Sequence, residues 1–214
     1  MATRKALVGA LLAAHGRTFS EELEIDLARG TPSPLFRWLC ACLLMSARIS
    51  TDKALSASRA LSDAGWTTPR RMADATWAQR VRVLNRSGYA GYDESTSRML
   101  GQTCDHLLER YGGDLRRLRE QAGHDPEAER RLLKEFKGIG DVGADIFFRE
   151  AQMVWDELYP FADKRALKAA RRLELGDNAR ALAALVSARD LPRLVSALVR
   201  LELANGYEEI KEAA

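Results

Sequence analysis

The strongest constraint on the fold is that apolar residues recur at helical spacing along almost the entire chain. No stretch shows the strict apolar–polar alternation, bounded by turn residues, that is typical of strands. Glycines such as Gly65, Gly88 and Gly123 separate the apolar segments. The pattern predicts an all-α fold with helices at 3–15, 33–47, 51–64, 68–74, 76–86, 93–111, 113–121, 126–136, 141–156, 162–173, 177–187 and 190–204.

Length and composition exclude several classes of protein. A chain of 214 residues can bury a core without disulfides or a structural metal. The hydrophobic fraction of 46% and the net charge of +3 exclude a disordered chain. The apolar run Leu35–Met45 contains Arg37 and is too short to cross a bilayer, so it predicts a buried helix. The three cysteines, an odd number, predict core thiols and no disulfide framework.

The N-terminal stretch has Arg4 and Lys5 before a short apolar segment, which is superficially like a secretory signal. His15, Gly16 and Arg17 follow it and offer no small-residue cleavage site. The last residues, 208–214, are mostly acidic or small and are predicted to be frayed. We therefore expect a cytoplasmic protein with no membrane association.

The most informative segment is Gly138-Ile139-Gly140, which separates two predicted helices. Two glycines allow a sharp turn, and Ile139 can anchor that turn in the core. The helix that starts at Asp141 then presents backbone N–H groups that suit an anion, and a DNA phosphate fits them. The alternative is a plain helix–turn–helix connection with a glycine C-cap.

A strongly basic helix is predicted directly after Asp163. Lysines and arginines fill five of the nine positions 164–172, and no acidic residue is among them. Four of these cations share one helix face: Lys164, Lys168, Arg171 and Arg172. Such a face can bind a phosphate backbone, or it can be an ordinary solvated face. Asp163 itself can be an N-cap and nothing more.

Together these elements resemble the helix–hairpin–helix DNA glycosylase superfamily, in particular its endonuclease III type. The hairpin Phe136-Lys137-Gly138-Ile139-Gly140 is similar to the family's Leu-Pro-Gly-Val-Gly. Ala162-Asp163-Lys164-Arg165 is similar to its Val-Asp-Thr-His, and Arg172-Leu173 to the Arg-Leu pair that ends the same helix. Leu43 to Asp52 resembles its Leu-Leu-Ser-Ala-Gln-Ala-Thr-Asp more loosely. The resemblance covers about residues 30–205 and is specific between 133 and 175.

The resemblance implies a two-lobed helical bundle that binds DNA across the junction of its lobes as a monomer. One lobe would be discontinuous and comprise residues 1–32 and 160–214. The other would comprise residues 33–159 and carry the helix–hairpin–helix motif at about 128–156.

The resemblance also implies a set of site residues. Asp163 would be the catalytic carboxylate, and Arg48 stands where the family has a glutamine that fills the gap left by a flipped nucleotide. The implied DNA-binding residues are Gly138, Ile139, Gly140, Val142, Gly143, Arg48, Lys164, Arg165 and Lys168. The candidates for the base pocket or a wedge are Tyr89, Tyr92 and Trp38, each of which can instead be a core residue. No side-chain metal site is expected, although the family often holds a monovalent cation on the hairpin backbone.

Three departures from the family's pattern change the expected chemistry. Val142 stands where bifunctional members carry the lysine that forms a Schiff base, so no efficient AP-lyase step is expected. No cysteine follows Cys104, so no iron–sulfur cluster is expected. Asp141 and Asp145 add negative charge beside the hairpin.

The leading hypothesis from the sequence is a monofunctional DNA repair glycosylase without a cofactor, acting near the nucleoid. It would excise a damaged or mismatched base from double-stranded DNA by hydrolysing the N-glycosidic bond, with Asp163 as the carboxylate. One alternative is a catalytically inactive relative that binds DNA or lesions. A second is a helical protein-interaction module.

Overall fold

The computed structural model describes residues 3–214, which form fourteen α-helices and two short 3₁₀ turns. The helices are α1 (Arg4–His15), α2 (Phe19–Glu22), α3 (Pro32–Met45), α4 (Thr51–Asp63), α5 (Pro69–Asp74), α6 (Trp77–Arg86), α7 (Asp93–Tyr111), α8 (Leu115–Gln121), α9 (Pro126–Leu133), α10 (Asp141–Ala151), α11 (Lys164–Arg172), α12 (Ala179–Ala183), α13 (Leu191–Ala204) and α14 (Tyr207–Glu212). The 3₁₀ turns are Leu27–Arg29 and Asp156–Leu158. These described residues contain no strand, which confirms the predicted all-α class. None of their helices has the length and apolarity that a membrane crossing requires.

Local capping explains why the helix starts follow the sequence pattern. Thr76 and Gln79 form a reciprocal capping box at the start of α6. The Asp125 side chain accepts from the N–H of Ala128 at 2.7 Å, and Pro126 occupies the first helical position of α9. Each of these caps satisfies an N–H group that has no partner inside the helix.

The structure corrects two sequence-based expectations at helix ends. Residues 208–214, predicted to be frayed, include most of α14, whose Tyr207 and Ile210 are buried. The helix predicted at 141–156 ends at Ala151. There Gln152 turns its side chain back, donating to Arg149 O and Phe161 O and accepting from the N–H of Phe161.

The chain divides into two compact units, of which one is Leu23–Phe147. Its central helix is α3, which is buried along most of its length and packs against α4. Arg37 is the one charge inside that apolar helix, and its guanidinium donates to Leu23 O and Glu24 O, both at 3.1 Å. The α7 helix packs against α5 and α6 in the same unit.

The other unit comprises the residues up to Glu22 together with Phe148–Ala214. In it, α1 and α11 both pack against α13. The buried Glu150 carboxylate accepts from the N–H groups of Phe19 and Ser20 at 2.7 and 2.8 Å, and from the Ser196 hydroxyl at 3.1 Å. These bonds tie the end of α10 to α2 and α13 within this unit. The lobe boundaries at 32/33 and 159/160 stay predictions from the family resemblance.

Candidate nucleic-acid interface

The segment between α9 and α10 forms the hairpin that the sequence predicted. Gly138 has a φ of +92°, which an L-residue with a side chain rarely adopts. Ile139 is 4% exposed, and its N–H donates to Phe136 O at 3.0 Å, so the apolar residue anchors the turn in the core. The first helical bond of α10 runs from the N–H of Ala144 to Gly140 O at 3.0 Å. The first amides of α10 therefore follow an exposed glycine directly.

The three glycines of this segment are present for different reasons. A Cβ on Gly138 would lie 2.7 Å from the sulfur of Met99, and a Cβ on Gly143 would lie 2.8 Å from the Ser46 hydroxyl. Both packing and backbone conformation disfavour a side chain at Gly138, whereas at Gly143 only packing does. Gly140 differs, because its φ is not positive and a Cβ there would meet nothing within 4 Å.

Each acidic residue beside the hairpin has a basic partner. Lys134, the C-cap of α9, pairs with Asp141 at 2.6 Å, and Arg130 within α9 pairs with Asp145 at 2.7 Å. The sequence suggested that these two carboxylates would oppose a phosphate. The ion pairs offset that negative charge locally.

Two predicted DNA-binding residues are exposed in this part of the molecule. Val142, in the first turn of α10, is 59% exposed. Arg48 is exposed in the segment between α3 and α4. That segment lies beside the hairpin, because Ser46 is the residue that a side chain at Gly143 would strike.

Of the three aromatic candidates, two are core residues and one is not. Trp38 is fully buried and donates its indole N–H to Phe147 O at 3.1 Å. Tyr89 is also fully buried and donates its hydroxyl to Leu44 O at 2.8 Å. Burial raises the pKa of Tyr89 to about 12, so the phenol remains a donor. Neither ring can contact DNA, which corrects two of the three candidates, whereas Tyr92 is 39% exposed.

Asp163 lies in the other unit and is engaged on both of its oxygens. Its Oδ1 accepts from the N–H groups of Arg165 and Ala166 at 2.9 and 3.1 Å, which makes it the N-cap of α11. Its Oδ2 accepts from Nε of Arg149 at 2.7 Å. The two side chains of this ion pair are only 4% and 5% exposed. Sequence reasoning did not identify Arg149, although a charged residue directly after the apolar run Ile146–Phe148 was a signal that a buried partner was needed.

The basic face of α11 is only partly available. Lys164, Arg165 and Arg171 are exposed, as a DNA-contacting face requires. Lys168, although exposed, pairs with Glu202 of α13 at 2.5 Å. Arg172 lies over the Tyr207 ring at 3.8 Å and donates to Asn205 at 3.2 Å. The predicted four-cation face is therefore reduced by contacts that hold α13 and α14 in place.

Among residues 3–214, no group of three or more histidine, cysteine or acidic side chains could hold a metal ion. The hairpin carbonyls stay the candidate for a monovalent cation, a prediction from the family resemblance.

Comparison with known proteins identifies the fold. The chain is similar to a solved structure described as a trapped endonuclease III–DNA covalent intermediate in an estranged-adenine complex. The two chains are 14% identical, the match covers 94% of this chain and 86% of the other, and the TM-score is 0.51. No family model matches the sequence. No curated protein matches it either. The likeness confirms the predicted helix–hairpin–helix glycosylase type of fold and, at this identity, shows the fold alone.

Proposed function

We propose that this chain binds duplex DNA through Gly138–Gly140 and the first turn of α10. The observation that carries the proposal is that Gly140, directly before the first amides of α10, is exposed, and that a Cβ there would meet nothing within 4 Å, so a ligand can approach this backbone closely. A phosphate suits this place, since helix N-terminal amides attract anions. The similar solved structure is itself a DNA complex, which supports the same partner.

The charges around the hairpin are compatible with this partner. Asp141 and Asp145 are paired with Lys134 and Arg130, so they do not present two free negative charges to a phosphate. Arg48 is exposed on the neighbouring segment. These contacts leave the first amides of α10 as a favourable place for an anion.

The first experiment compares DNA binding by Gly140→Ala with that by wild type, using fluorescence anisotropy of a labelled duplex over a range of salt concentrations. Wild type should bind more weakly as salt rises. Gly140→Ala should weaken binding about tenfold or more, the value of one hydrogen bond to a charged group. Gly9→Ala is the matched control, because Gly9 lies in α1 with nothing within 4 Å of its would-be Cβ. Equal affinities for all three proteins would refute the hairpin as the binding site.

We further propose that the protein binds damaged or mismatched DNA without hydrolysing the N-glycosidic bond. A carboxylate that stabilises a sugar cation must face it. Asp163 is 5% exposed, and its oxygens already accept from two amides and from Arg149. Val142 offers no amine for Schiff-base chemistry, which argues against strand cleavage by a lyase step and leaves hydrolysis to be decided by Asp163.

The second candidate is the monofunctional glycosylase, and the placement of Asp163 at the N-terminus of α11 favours it. A single-turnover screen of duplexes, each with one damaged or mismatched base, separates the two. Wild type and Asp163→Asn are compared with and without alkali, after circular dichroism has shown that both are folded. We expect no alkali-labile product from either protein. Alkali-dependent cleavage by wild type alone would establish the glycosylase and identify its base.

A further inference from the structure

Helices α4 and α6 leave an open groove of about 540 Å³ between them, within the unit Leu23–Phe147. Its walls include Ser56, Arg59, Ala60 and Asp63 of α4, and Arg86 and Ser87 of α6. The volume falls in the range of about 300–1,000 Å³ that is typical of small-ligand sites. We propose that this α4–α6 groove binds a small phosphorylated sugar. Neither the ligand nor the site depends on the proposed DNA contact at the hairpin.

The groove exists because small side chains line the space between the two helices. The α4 helix packs against both α3 and α6. On its groove side Ser56, Ala60 and Ala64 recur at intervals of four residues, so they lie on one helix face. Their side chains are too short to fill the space up to α6. The sequence of α4 therefore keeps the groove open.

Two arginines make the groove attractive to an anion. Arg59 is exposed on the α4 wall, and Arg86 is exposed on the α6 wall. A guanidinium presents its N–H donors in a planar fork that matches the oxygens of a phosphate. A phosphate monoester has three terminal oxygens and can accept from both arginines, whereas a carboxylate has two. Ser56, one turn before Arg59, adds a half-buried hydroxyl that can donate to the same phosphate.

The acceptors in the groove indicate that the ligand also carries hydroxyl groups. Asp63 lies one turn after Arg59, about 6 Å further along the axis of α4. A carboxylate only accepts hydrogen bonds, so Asp63 would bind a hydroxyl and repel a second phosphate. Ser87 is also an acceptor for the ligand, because its own hydroxyl donates to Leu84 O at 2.7 Å. A sugar phosphate combines the anion and the hydroxyl donors that these residues require.

The charges around the groove are compatible with an anionic ligand. Asp63 interacts electrostatically with Arg37 of α3, which offsets part of its negative charge. Arg82, one turn before Arg86, is exposed but is not among the residues that line the groove. It contributes to a positive potential that attracts anions without contacting the bound ligand.

Calorimetric titration of the full chain with ribose 5-phosphate, ribose and inorganic phosphate tests the proposal. Ribose 5-phosphate should bind at millimolar concentration or below, and more tightly than inorganic phosphate. Ribose alone should not bind, because the two arginines have no anion to pair with. Binding of ribose 5-phosphate should weaken as salt rises, since exposed charges are screened.

Four variants locate the ligand in the groove. Arg59→Gln and Arg86→Gln should each weaken binding of ribose 5-phosphate about tenfold or more, because each removes hydrogen bonds to a charged group. Arg82→Gln is the matched control, since it removes the same charge one turn away and outside the groove, and it should retain the wild-type affinity. Asp63→Ala should abolish the preference for ribose 5-phosphate over inorganic phosphate. Circular dichroism checks that each variant is folded.

Two results would overturn the proposal. One is that wild type does not bind ribose 5-phosphate, or binds it no more tightly than inorganic phosphate. The other is that Arg82→Gln weakens binding as much as Arg86→Gln does, because the anion would then be attracted by general surface charge. A tenfold loss confined to the two groove arginines supports the proposal.

Duplexes with and without a 5′-terminal phosphate distinguish a free sugar phosphate from the end of a DNA strand. Arg86→Gln should leave the affinity for both duplexes unchanged. A loss confined to the phosphorylated duplex would identify the strand end as the ligand and refute the free sugar phosphate. Gly140→Ala should bind ribose 5-phosphate as wild type does, so failure of the groove and failure of the hairpin site are distinguishable.

Discussion

Replacing Asp163 with asparagine tests whether this residue is primarily structural. Asparagine caps a helix about as well as aspartate, so the bonds to Arg165 and Ala166 are largely retained. Arg149 would lose its carboxylate, and its side chain is only 5% exposed. Removing one member of a buried ion pair costs about 3–5 kcal/mol, since the remaining charge stays desolvated. Because both side chains are almost fully buried, solvent does not weaken their attraction, and the full loss is expected.

This loss should be visible as a change in melting temperature. For a chain of this size, 1 kcal/mol corresponds to about 2–4 °C, so Asp163→Asn should melt about 6–20 °C below wild type by circular dichroism. Adding Arg149→Met should recover most of the loss, because methionine leaves no buried charge. Asp141→Asn is the control, since its pair with Lys134 is exposed and worth about 0–1 kcal/mol. A melting temperature for Asp163→Asn within about 2 °C of wild type would refute the structural role.

Three further predictions follow from the hairpin and the core. Val142→Lys should form a borohydride-trapped adduct with abasic-site DNA that wild type does not form, because position 142 is 59% exposed beside the hairpin. Absence of the adduct would mean that the sugar does not bind next to position 142. Gly138→Ala should lower the free energy of unfolding, measured in urea, by about 1–3 kcal/mol, because Gly138 has a φ of +92° and a side chain there would strike Met99. Gly9→Ala should leave this free energy unchanged or raise it. Burial raises the pKa of Cys104 to about 12 and that of Cys40 well above its usual range, so the buried thiols should react with Ellman's reagent at mildly alkaline pH only after denaturation; rapid reaction of the folded protein would contradict the burial.

The helices were predictable because their determinants are local. Apolar spacing, caps such as Thr76 and Asp125, and terminal glycines lie within a few residues of each helix. The helix α2 was missed because its stabilising cap is distant: Glu150, 131 residues away from Phe19, accepts the first N–H groups. The helix α14 was missed because its composition is acidic, while packing of Tyr207 and Ile210 stabilises it. Long-range contacts of this kind cannot be read from local spacing.

The candidate site, like the helices, was predictable only where its determinants are local. The hairpin and its buried Ile139 follow from the two glycines and the apolar residue between them. Exposure of aromatic residues does not follow from sequence, because Tyr89 and Tyr92 stand three residues apart in one loop and only the second reaches solvent. The pairing of Asp163 with Arg149 also depends on how α10 and α11 pack; the sequence indicates that a charge after the apolar run Ile146–Phe148 needs a buried partner, but not which residue that partner is.

Gly140 and Asp163 differ in how accessible they are to a ligand. Gly140 is exposed, and a Cβ there would meet nothing within 4 Å, so a ligand can approach its backbone closely. Asp163 shows the reverse arrangement, because every contact it makes serves the fold: two amides of α11 and one buried guanidinium. A buried carboxylate that has lost its freedom to face a substrate still stabilises the helix it caps. Because the proposed DNA site lies at the hairpin and not at this ion pair, the Arg149→Met/Asp163→Asn protein should bind duplex DNA with wild-type affinity. A loss of affinity in that folded double variant would mean that the ion pair itself contacts DNA.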